Sequence, residues 1–411
     1  MKIQRCRGFR DLAPEEMSNF RLIETAFRDC CLKWGYHEVR TPTLEYLYLF
    51  TATGTLTPDR LNRVYSFLDW DGWSGERVVL RPDGTIPVTR LYIESMAEQG
   101  RTKLFYVTNV FVFEETGQKS RERWQCGAEL IGVNQAMADV ELLALALNVL
   151  QSLGLNGIKV RLSHAGLVRA ILAKFELDPA EQARIFDQFL DGDTEALAHL
   201  KSDKPELMEA LTLLLDMKGR SSGFLKNIKA LFSQKLPEFE APLNNFIAIT
   251  ELTQALGYDC QIDLVSGKGF EYYTGVIFQL FMGVELVGGG GRYDDLIPLM
   301  GGRDTPAAGF ALYLDGLMKL VKPETSAEPI SKRILVRVVP EVTKEGFSVA
   351  SRLREVGYIA ELALGGEKTD SYGFILEVQS KAPKFILNDK ANGAKSRVES
   401  AAEVLALLGS R

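Results

Sequence analysis

Apolar residues recur every three to four positions through Met17, Phe20, Ile23, Phe27, Cys30 or Cys31 and Trp34. Pro14, Glu15 and Glu16 precede this stripe and Gly35 follows it, so the pattern predicts one amphipathic helix with a defined start and stop. A short strand is predicted over 36–40, running to Pro42, and a second over 77–81. Pro82-Asp83-Gly84-Thr85 reads as a turn that opens a helix reaching about Met96. Residues 104–114 (LFYVTNVFVFE) and 124–133 (WQCGAELIGV) read as strands and predict an antiparallel pair. The polar stretch 116–123 between them is too long for a tight turn, which marks it as a functional loop. A helix over 138–153 and a strand over 158–162 follow.

Residues 166–256 alternate Leu and Ala with Lys and Glu and predict a helical insertion with no recognisable chemistry. Strands are predicted at 261–265, 272–281 and 284–287, the last broken by Gly288–Gly291. A helix is predicted over 307–321. Residues 323–331 hold Pro323, Ser326 and Pro329 and read as a linker. Beyond them, strands at 333–339, 358–363 and 384–387 alternate with helices at 341–356, 371–381 and 396–409, which predicts a small α/β domain with a largely parallel sheet. The expected organisation is an α+β core over 1–322, built on an antiparallel sheet flanked by helices, then the linker, then the small domain over 332–411.

Composition narrows the class. The chain has 411 residues, 46% hydrophobic and 25% charged, which excludes a fibrous or mostly disordered protein. A formal net charge of −6 disfavours general nucleic-acid binding but leaves room for a local basic groove. The five cysteines are scattered with no C-x-x-C pair, and His37, His164 and His199 are not spaced to share a metal, so neither a disulfide framework nor a zinc site is expected. Cys30 and Cys31 fall on the helical stripe and read as core. The N-terminal residues have no apolar h-region. The most apolar helix, 140–153, contains Glu141, Asn148 and Gln151 and is too short to span a bilayer. A soluble, cytoplasmic chain is expected. There is no G-x-x-x-x-G-K-[ST], and Tyr293 spoils a G-x-G-x-x-G reading of the glycine run, which is better read as a close structural crossing.

The polar segments match one family in order. GFRDLAPEE at 8–16 resembles the opening of histidyl-tRNA synthetases, and GYHEVRTPTLE at 35–45 resembles class II motif 1. LRPDGT at 80–85 resembles the LRPEGT segment, and YVTNVFVFEE…RERWQCGAELIG at 106–132 resembles motif 2. KGFEYYTG at 268–275 is similar to the RGLDYYTG histidine signature. LVGGGGRYDDL at 286–296 and AAGFALYLDGL at 307–317 resemble the glycine-rich strand and motif 3. The resemblance covers essentially the whole chain. It implies a class II synthetase-like fold with a shortened anticodon-binding-like domain at the C-terminus.

Three departures change what the resemblance implies. Motif 2 of the synthetases carries F-R-x-E, with the arginine on the ATP α-phosphate; here the stretch is Phe111-Val112-Phe113-Glu114. Motif 3 ends G-L-E-R; here it is Tyr313-Leu314-Asp315-Gly316. The histidine signature starts with Arg, and here Lys268 stands there. Adenylate formation needs forked cationic donors on phosphate oxygens. Losing one such donor costs about 100- to 1,000-fold in rate, and losing two leaves roughly 10⁴-fold less activity or worse.

What remains is an amino-acid pocket. By resemblance, Asp83 and Thr85 bind an α-ammonium, Gln125 and Glu129 line the inner floor, and Glu129 and Tyr273 contact an imidazole ring, with Tyr272 and Lys268 as further candidate contacts. A ring with two N–H donors suits a carboxylate and a phenol. Read without the family, Glu129 fits a solvent-facing strand position, Tyr272 and Tyr273 fit sheet packing, and Asp83 fits a helix cap. A synthetase-like chain that keeps the histidine floor and loses the ATP arginines resembles the regulatory subunits of ATP phosphoribosyltransferase. That resemblance implies a non-catalytic subunit of histidine biosynthesis with no cofactor, which activates a short-form catalytic subunit and senses free histidine for feedback inhibition. It implies a dimer through residues 15–45 and a hetero-oligomer with the catalytic subunit, a hetero-octamer among the options. The enzyme-class alternative is a divergent histidyl-tRNA synthetase.

Overall fold

The structure, a computed structural model, describes residues 3–54, 56, 61, 64–70, 75–113, 120–175, 177–190, 205–232, 236–264, 272–322 and 330–409. The chain divides into two compact units, Met1–Lys322 and Pro323–Arg411.

The first unit lays down, in chain order, β1 (His37–Glu38), β2 (Leu44–Tyr46), β3 (Ser66–Trp70), β4 (Gly75–Leu80), β5 (Thr102–Phe111), β6 (Glu122–Ile131), β7 (Lys159–His164), β8 (Lys218–Gly219), β9 (Cys260–Asp263), β10 (Val276–Met282), β11 (Glu285–Arg292) and β12 (Ala307–Tyr313). A nine-stranded sheet runs β1-β5-β6-β12-β11-β10-β7-β9-β8, and a three-stranded sheet runs β2-β4-β3. From β5 to β7 the large sheet is antiparallel. Parallel pairs of β1 with β5 and β7 with β9 flank that block.

Helices α1 (Pro14–Lys33), α2 (Leu47–Ala52), α3 (Thr85–Ser95) and α4 (Ala136–Ser152) precede β7. Helix α1 forms where the stripe predicted it and buries Phe20, Ile23, Phe27, Cys30 and Cys31. The Glu16 carboxylate accepts the backbone N–H of Ala13 at 3.1 Å, satisfying a donor the first turn leaves unpaired. Just beyond the helix, Trp34 Nε1–H donates to Asn148 Oδ1 at 3.2 Å and the Tyr36 hydroxyl donates to Glu141 Oε1 at 2.9 Å, fastening its end to α4. The segment after Gly35 is shorter than predicted, with only His37–Glu38 in strand conformation.

The stretch read as a helical insertion contains α5 (Ala165–Leu172), α6 (Pro179–Leu190), α7 (Pro205–Asp216), α8 (Ser222–Phe232) and α9 (Glu240–Ala255), with the two-residue β8 among them. After it come α10 (Leu296–Leu299) and α11 (Leu314–Leu320).

Two expectations in this unit fail for one physical reason. Gly288–Gly291 do not end a strand; they lie inside β11, and the expected helix over 307–321 is β12 followed by the short α11. Glycine is a poor strand former and alanine a good helix former, but here close approach of the strands overrides both preferences. A Cβ on Gly290 would lie 2.2 Å from the Gly309 carbonyl oxygen, and one on Gly288 would lie 2.8 Å from that of Ala311.

The second unit has strands β13 (Arg333–Val338), β14 (Ile359–Leu362), β15 (Phe374–Val378), β16 (Phe385–Asp389) and β17 (Lys395–Val398), with helices α12 (Thr343–Glu355) and α13 (Ala401–Gly409). Its five-stranded sheet runs β14-β13-β15-β16-β17. It is mixed rather than largely parallel: β13 is parallel to both neighbours, while β15-β16-β17 are antiparallel. The helix expected over 371–381 is strand β15, whose run Phe374-Ile375-Leu376 is buried between two neighbours. The terminal helix starts at 401, not 396. Lys395–Val398 pair as an edge strand, and the Ser400 hydroxyl donates to the Glu403 carboxylate at 2.8 Å to open the helix.

The crowding at β11 and β12 yields a direct test. Gly290→Ala forces a Cβ into a backbone oxygen that cannot rotate away, so it is expected to lower stability by about 3 kcal/mol or more. Gly223→Ala, on a helix with nothing closer than 3.6 Å, is expected to be neutral or stabilising. Urea denaturation midpoints of the two variants check the contrast.

Candidate functional site

A cavity of about 660 Å³ opens over β6, β11 and β12, beneath the start of α3 and the turn at Tyr272 and Tyr273. Side chains two apart on a strand share a face. Arg123, Gln125, Gly127 and Glu129 therefore line up along the cavity side of β6. Gly127 carries no side chain because the Tyr106 ring, from the residue paired with it on β5, crosses that position; a Cβ there would lie 2.4 Å from the Tyr106 hydroxyl.

Glu129 is 1% exposed. Its Oε1 accepts from the Thr85 hydroxyl at 2.9 Å and the Tyr106 hydroxyl at 3.2 Å, and its Oε2 accepts from the Tyr293 hydroxyl. Oε2 also occupies the space a Cβ on Gly309 would take, 1.6 Å from that ideal position, and Gly309 itself lines the cavity. No cation is among these partners. Burial pushes the Glu129 carboxyl up to about 8, against the hydrogen bonds from Tyr293 and Thr85. Burial also holds the phenols of Tyr106, Tyr272, Tyr273 and Tyr293 well above their ordinary range, so they stay protonated and act as donors.

Asp83 serves two neighbours. Its Oδ1 accepts the backbone N–H of Ile86 at 2.8 Å, which fixes the first turn of α3, and its Oδ2 faces the Tyr272 hydroxyl at 3.4 Å. Burial raises its carboxyl above the usual carboxylate range. Arg81 holds the entrance to this turn. Its guanidinium donates to the Thr41 and Pro42 carbonyls at 2.9 and 2.8 Å and to the carbonyl and side-chain oxygens of Asn109 at 2.8 and 2.7 Å. Residues 82–85 are thereby anchored to both the 41–42 segment and β5.

The far end of the cavity has a different chemistry. Val112 and Gly316, the two positions at which the synthetase arginines are missing, both line it. Asp315 there is already engaged, accepting the Trp124 backbone N–H at 2.7 Å and Arg10 Nη2 at 2.5 Å.

Of the residues expected from sequence, Asp83, Thr85, Gln125, Tyr272 and Tyr273 line this one cavity. Glu129 is not a solvent-facing strand residue; it lies directly beneath them. Lys268 and Glu114 lie outside the described residues. Sequence reasoning missed Tyr106, Tyr293 and Gly309, which enclose Glu129. All three lie in segments that resemble the family, but their convergence depends on strand register. Among the described residues no cluster of His, Cys, Asp and Glu could hold a metal ion, and all five cysteines are free thiols. No described helix is long and apolar enough to cross a membrane.

Fold and cavity together define a class II, histidyl-tRNA-synthetase-like protein. The histidyl-tRNA synthetase family model matches residues 8–317. A protein of Dehalococcoides mccartyi named ATP phosphoribosyltransferase regulatory subunit is 51% identical over 406 residues, 99% of this chain and 98% of that one. The histidine–tRNA ligase of Methanocaldococcus jannaschii is 33% identical over 375 residues, 89% of this chain and 87% of that one. A solved structure from Bacillus halodurans, titled as an ATP phosphoribosyltransferase regulatory subunit/histidyl-tRNA synthetase, superposes with a TM-score of 0.77 at 25% identity, covering 93% of this chain and 100% of that one. The chain belongs to the ATP phosphoribosyltransferase regulatory subunit family, within the histidyl-tRNA-synthetase-like group.

The buried acids set a pH dependence of stability. An acid whose folded pKa exceeds its unfolded value binds its proton more tightly when folded, so its contribution is fully present below the unfolded pKa and is lost as pH rises through the folded one. Burial raises Asp139 to about 6, so its loss is complete before that of Glu129, which extends to about 8. Between pH 6 and 8 stability is expected to fall by at most about 1.4 kcal/mol per pH unit on account of Glu129. Glu129→Gln, which cannot ionise, should flatten that slope. Urea midpoints at pH 6, 7 and 8 measure it, and an unchanged slope in the variant would contradict the assignment.

Proposed function

We propose that this chain is a non-catalytic subunit that binds free histidine in the cavity and regulates a separate short-form ATP phosphoribosyltransferase catalytic subunit, activating it by assembly and relaying feedback inhibition. One observation carries the reading: the amino-acid end of the cavity is furnished while its nucleotide end lacks both arginines. Asp83 offers a carboxylate to an α-ammonium. Tyr273 and Glu129 offer a phenol and a carboxylate to an imidazole. Thr85, Tyr106 and Tyr293 already hold Glu129, and burial keeps its proton up to about pH 8, so an imidazole bound beside Gly309 meets an acid that gives up that proton to become the acceptor. At the other end, Val112 offers no donor and Gly316 no side chain to phosphate oxygens.

The names of the relatives support the catalytic subunit as partner. Self-association through residues 15–45 is part of the proposal, and it draws support from Leu32, Leu44 and Tyr46, apolar side chains that are exposed along that segment and its continuation in β2.

Two measurements test the reading. The chain alone should show histidine-dependent exchange of pyrophosphate into ATP at least about 10⁴-fold below a working synthetase, whereas mixing it with a short-form catalytic subunit should raise the rate of phosphoribosyl transfer. Ordinary exchange, or mixing without effect on transfer, would sink the proposal. Glu129→Gln should weaken histidine binding about 10- to 100-fold, the worth of one hydrogen bond to a charged group. Because coupling between sites is reciprocal in binding free energy, inhibition of the mixed complex should move to higher histidine. Calorimetric titration of the variant and inhibition curves of the complex check the two halves.

A further inference from the structure

An α-amino acid bound in the cavity presents an ammonium, a side chain and a carboxylate. Asp83 and Glu129 answer the first two, and both are acids. Around them the described residues offer hydroxyls and the Gln125 amide, and no cation among the described residues there faces the negative end of the ligand. Among the described residues, the cations that line the cavity are Arg123 and Lys319. Lys319 is exposed near the end of α11. Arg123 stands two residues from Gln125 on the same face of β6, the next position along the cavity from the amino-acid end. Its Nε donates to the Ser120 carbonyl at 3.2 Å, which orients the plane of the guanidinium. Val110, opposite it on β5, lines the cavity without charge.

Tyr313 completes the arrangement. It is paired with Gln125 across β12 and β6, and both line the cavity. Directly opposed residues on one sheet face have Cβ atoms about 5 Å apart, so the phenol rises beside the Gln125 amide. Burial pushes its hydroxyl up to about 12, Arg123 pulling it down and Asp83 pushing it up, so the phenol remains a donor and senses both the acid of the amino-acid end and the guanidinium beyond it. The synthetase motif has glycine where Tyr313 stands.

We propose that Arg123 and Tyr313 hold the α-carboxylate of the bound amino acid, and that Tyr313 walls the amino-acid end off from the emptied nucleotide end. The inference rests on the histidine-binding reading. A guanidinium and a phenol supply forked and single donors to the two carboxylate oxygens. One substitution, glycine to Tyr313, then both blocks the path an acyl group would take toward a phosphate and adds a donor for an unreacted carboxylate.

The test compares L-histidine with histamine, which keeps the imidazole and the ammonium but lacks the carboxylate, by calorimetric titration of the full chain. Wild type should bind histidine about 10- to 100-fold more tightly than histamine. Arg123→Gln should remove most of that preference, and Tyr313→Phe about 5-fold or more of it, with histamine affinity within twofold of wild type in both. Retained histamine binding also reports an intact pocket. Equal losses for both ligands would mean that these side chains only shape the cavity, and would overturn the assignment. So would unchanged histidine affinity in both variants together with a carboxylate-specific loss in Lys268→Met. If wild type bound neither ligand, the histidine reading itself would fall, and this assignment with it.

Discussion

Glu129 is an acid sealed inside a sheet with no cation among its described partners, and burial lets it keep its proton up to about pH 8. Burying a carboxyl group without hydrogen-bond partners is costly, the more so once it ionises, and much of the surrounding structure answers that one constraint. Three hydroxyls converge on the two oxygens. Each reaches Glu129 from a different element: Thr85 from α3, Tyr106 from β5 and Tyr293 from just beyond β11. The glycines follow from the same requirement. Gly127 clears the path of the Tyr106 ring, and Gly309 clears the space that Oε2 occupies. Gly84 is pressed in turn, since a Cβ there would lie 2.5 Å from both the Gln125 amide nitrogen and the Tyr106 ring. A single buried acid thus dictates side chains and their absence on several neighbouring elements.

The two ends of the cavity differ in how they are supported. At the amino-acid end, Arg81 ties the 82–85 turn to two backbone segments, and the Arg292–Asp139 pair, at 2.9 Å and buried, ties the end of β11 to α4. The Arg292 carbonyl also accepts the Thr274 N–H at 2.8 Å, so the turn bearing Tyr272 and Tyr273 hangs from the same residue. At the other end, Asp315 on α11 is turned onto Arg10 and the Trp124 N–H.

Much of this was legible in the chain because it rests on local signals. The stripe from Met17 to Trp34 has a clear helical period, and the residues of β5 carry β-branched and aromatic character along the strand. Asp83, Thr85, Gln125, Tyr272 and Tyr273 came from resemblance, and they line a common cavity. The failures are non-local. Ala307-Ala308-Gly309 and Gly288–Gly291 follow local propensity toward helix and break, whereas the approach of β11 to β12 decides their conformation. Phe374–Val378 is a short apolar run, and such a run does not distinguish strand from buried helix by its period. The hydroxyls of Tyr106 and Tyr293 are separated from Glu129 by 23 and 164 positions, and only sheet register brings them together.

Stability alone gives no reason to keep this arrangement. Replacing a buried polar cluster with well-packed apolar side chains is often neutral or stabilising, and a partly satisfied polar network is worse than an apolar core. Glu129, with a pKa raised by burial, lowers stability as pH rises, and the strand glycines beside it weaken the very sheet that holds it. Departures from local preference that bring no stability belong to functional sites. Here they border one cavity, at the end that holds Asp83, Thr85 and Glu129, while Val112 and Gly316 line the other. The physical conflict at Glu129 therefore marks the cavity as the part of this unit that stability does not explain.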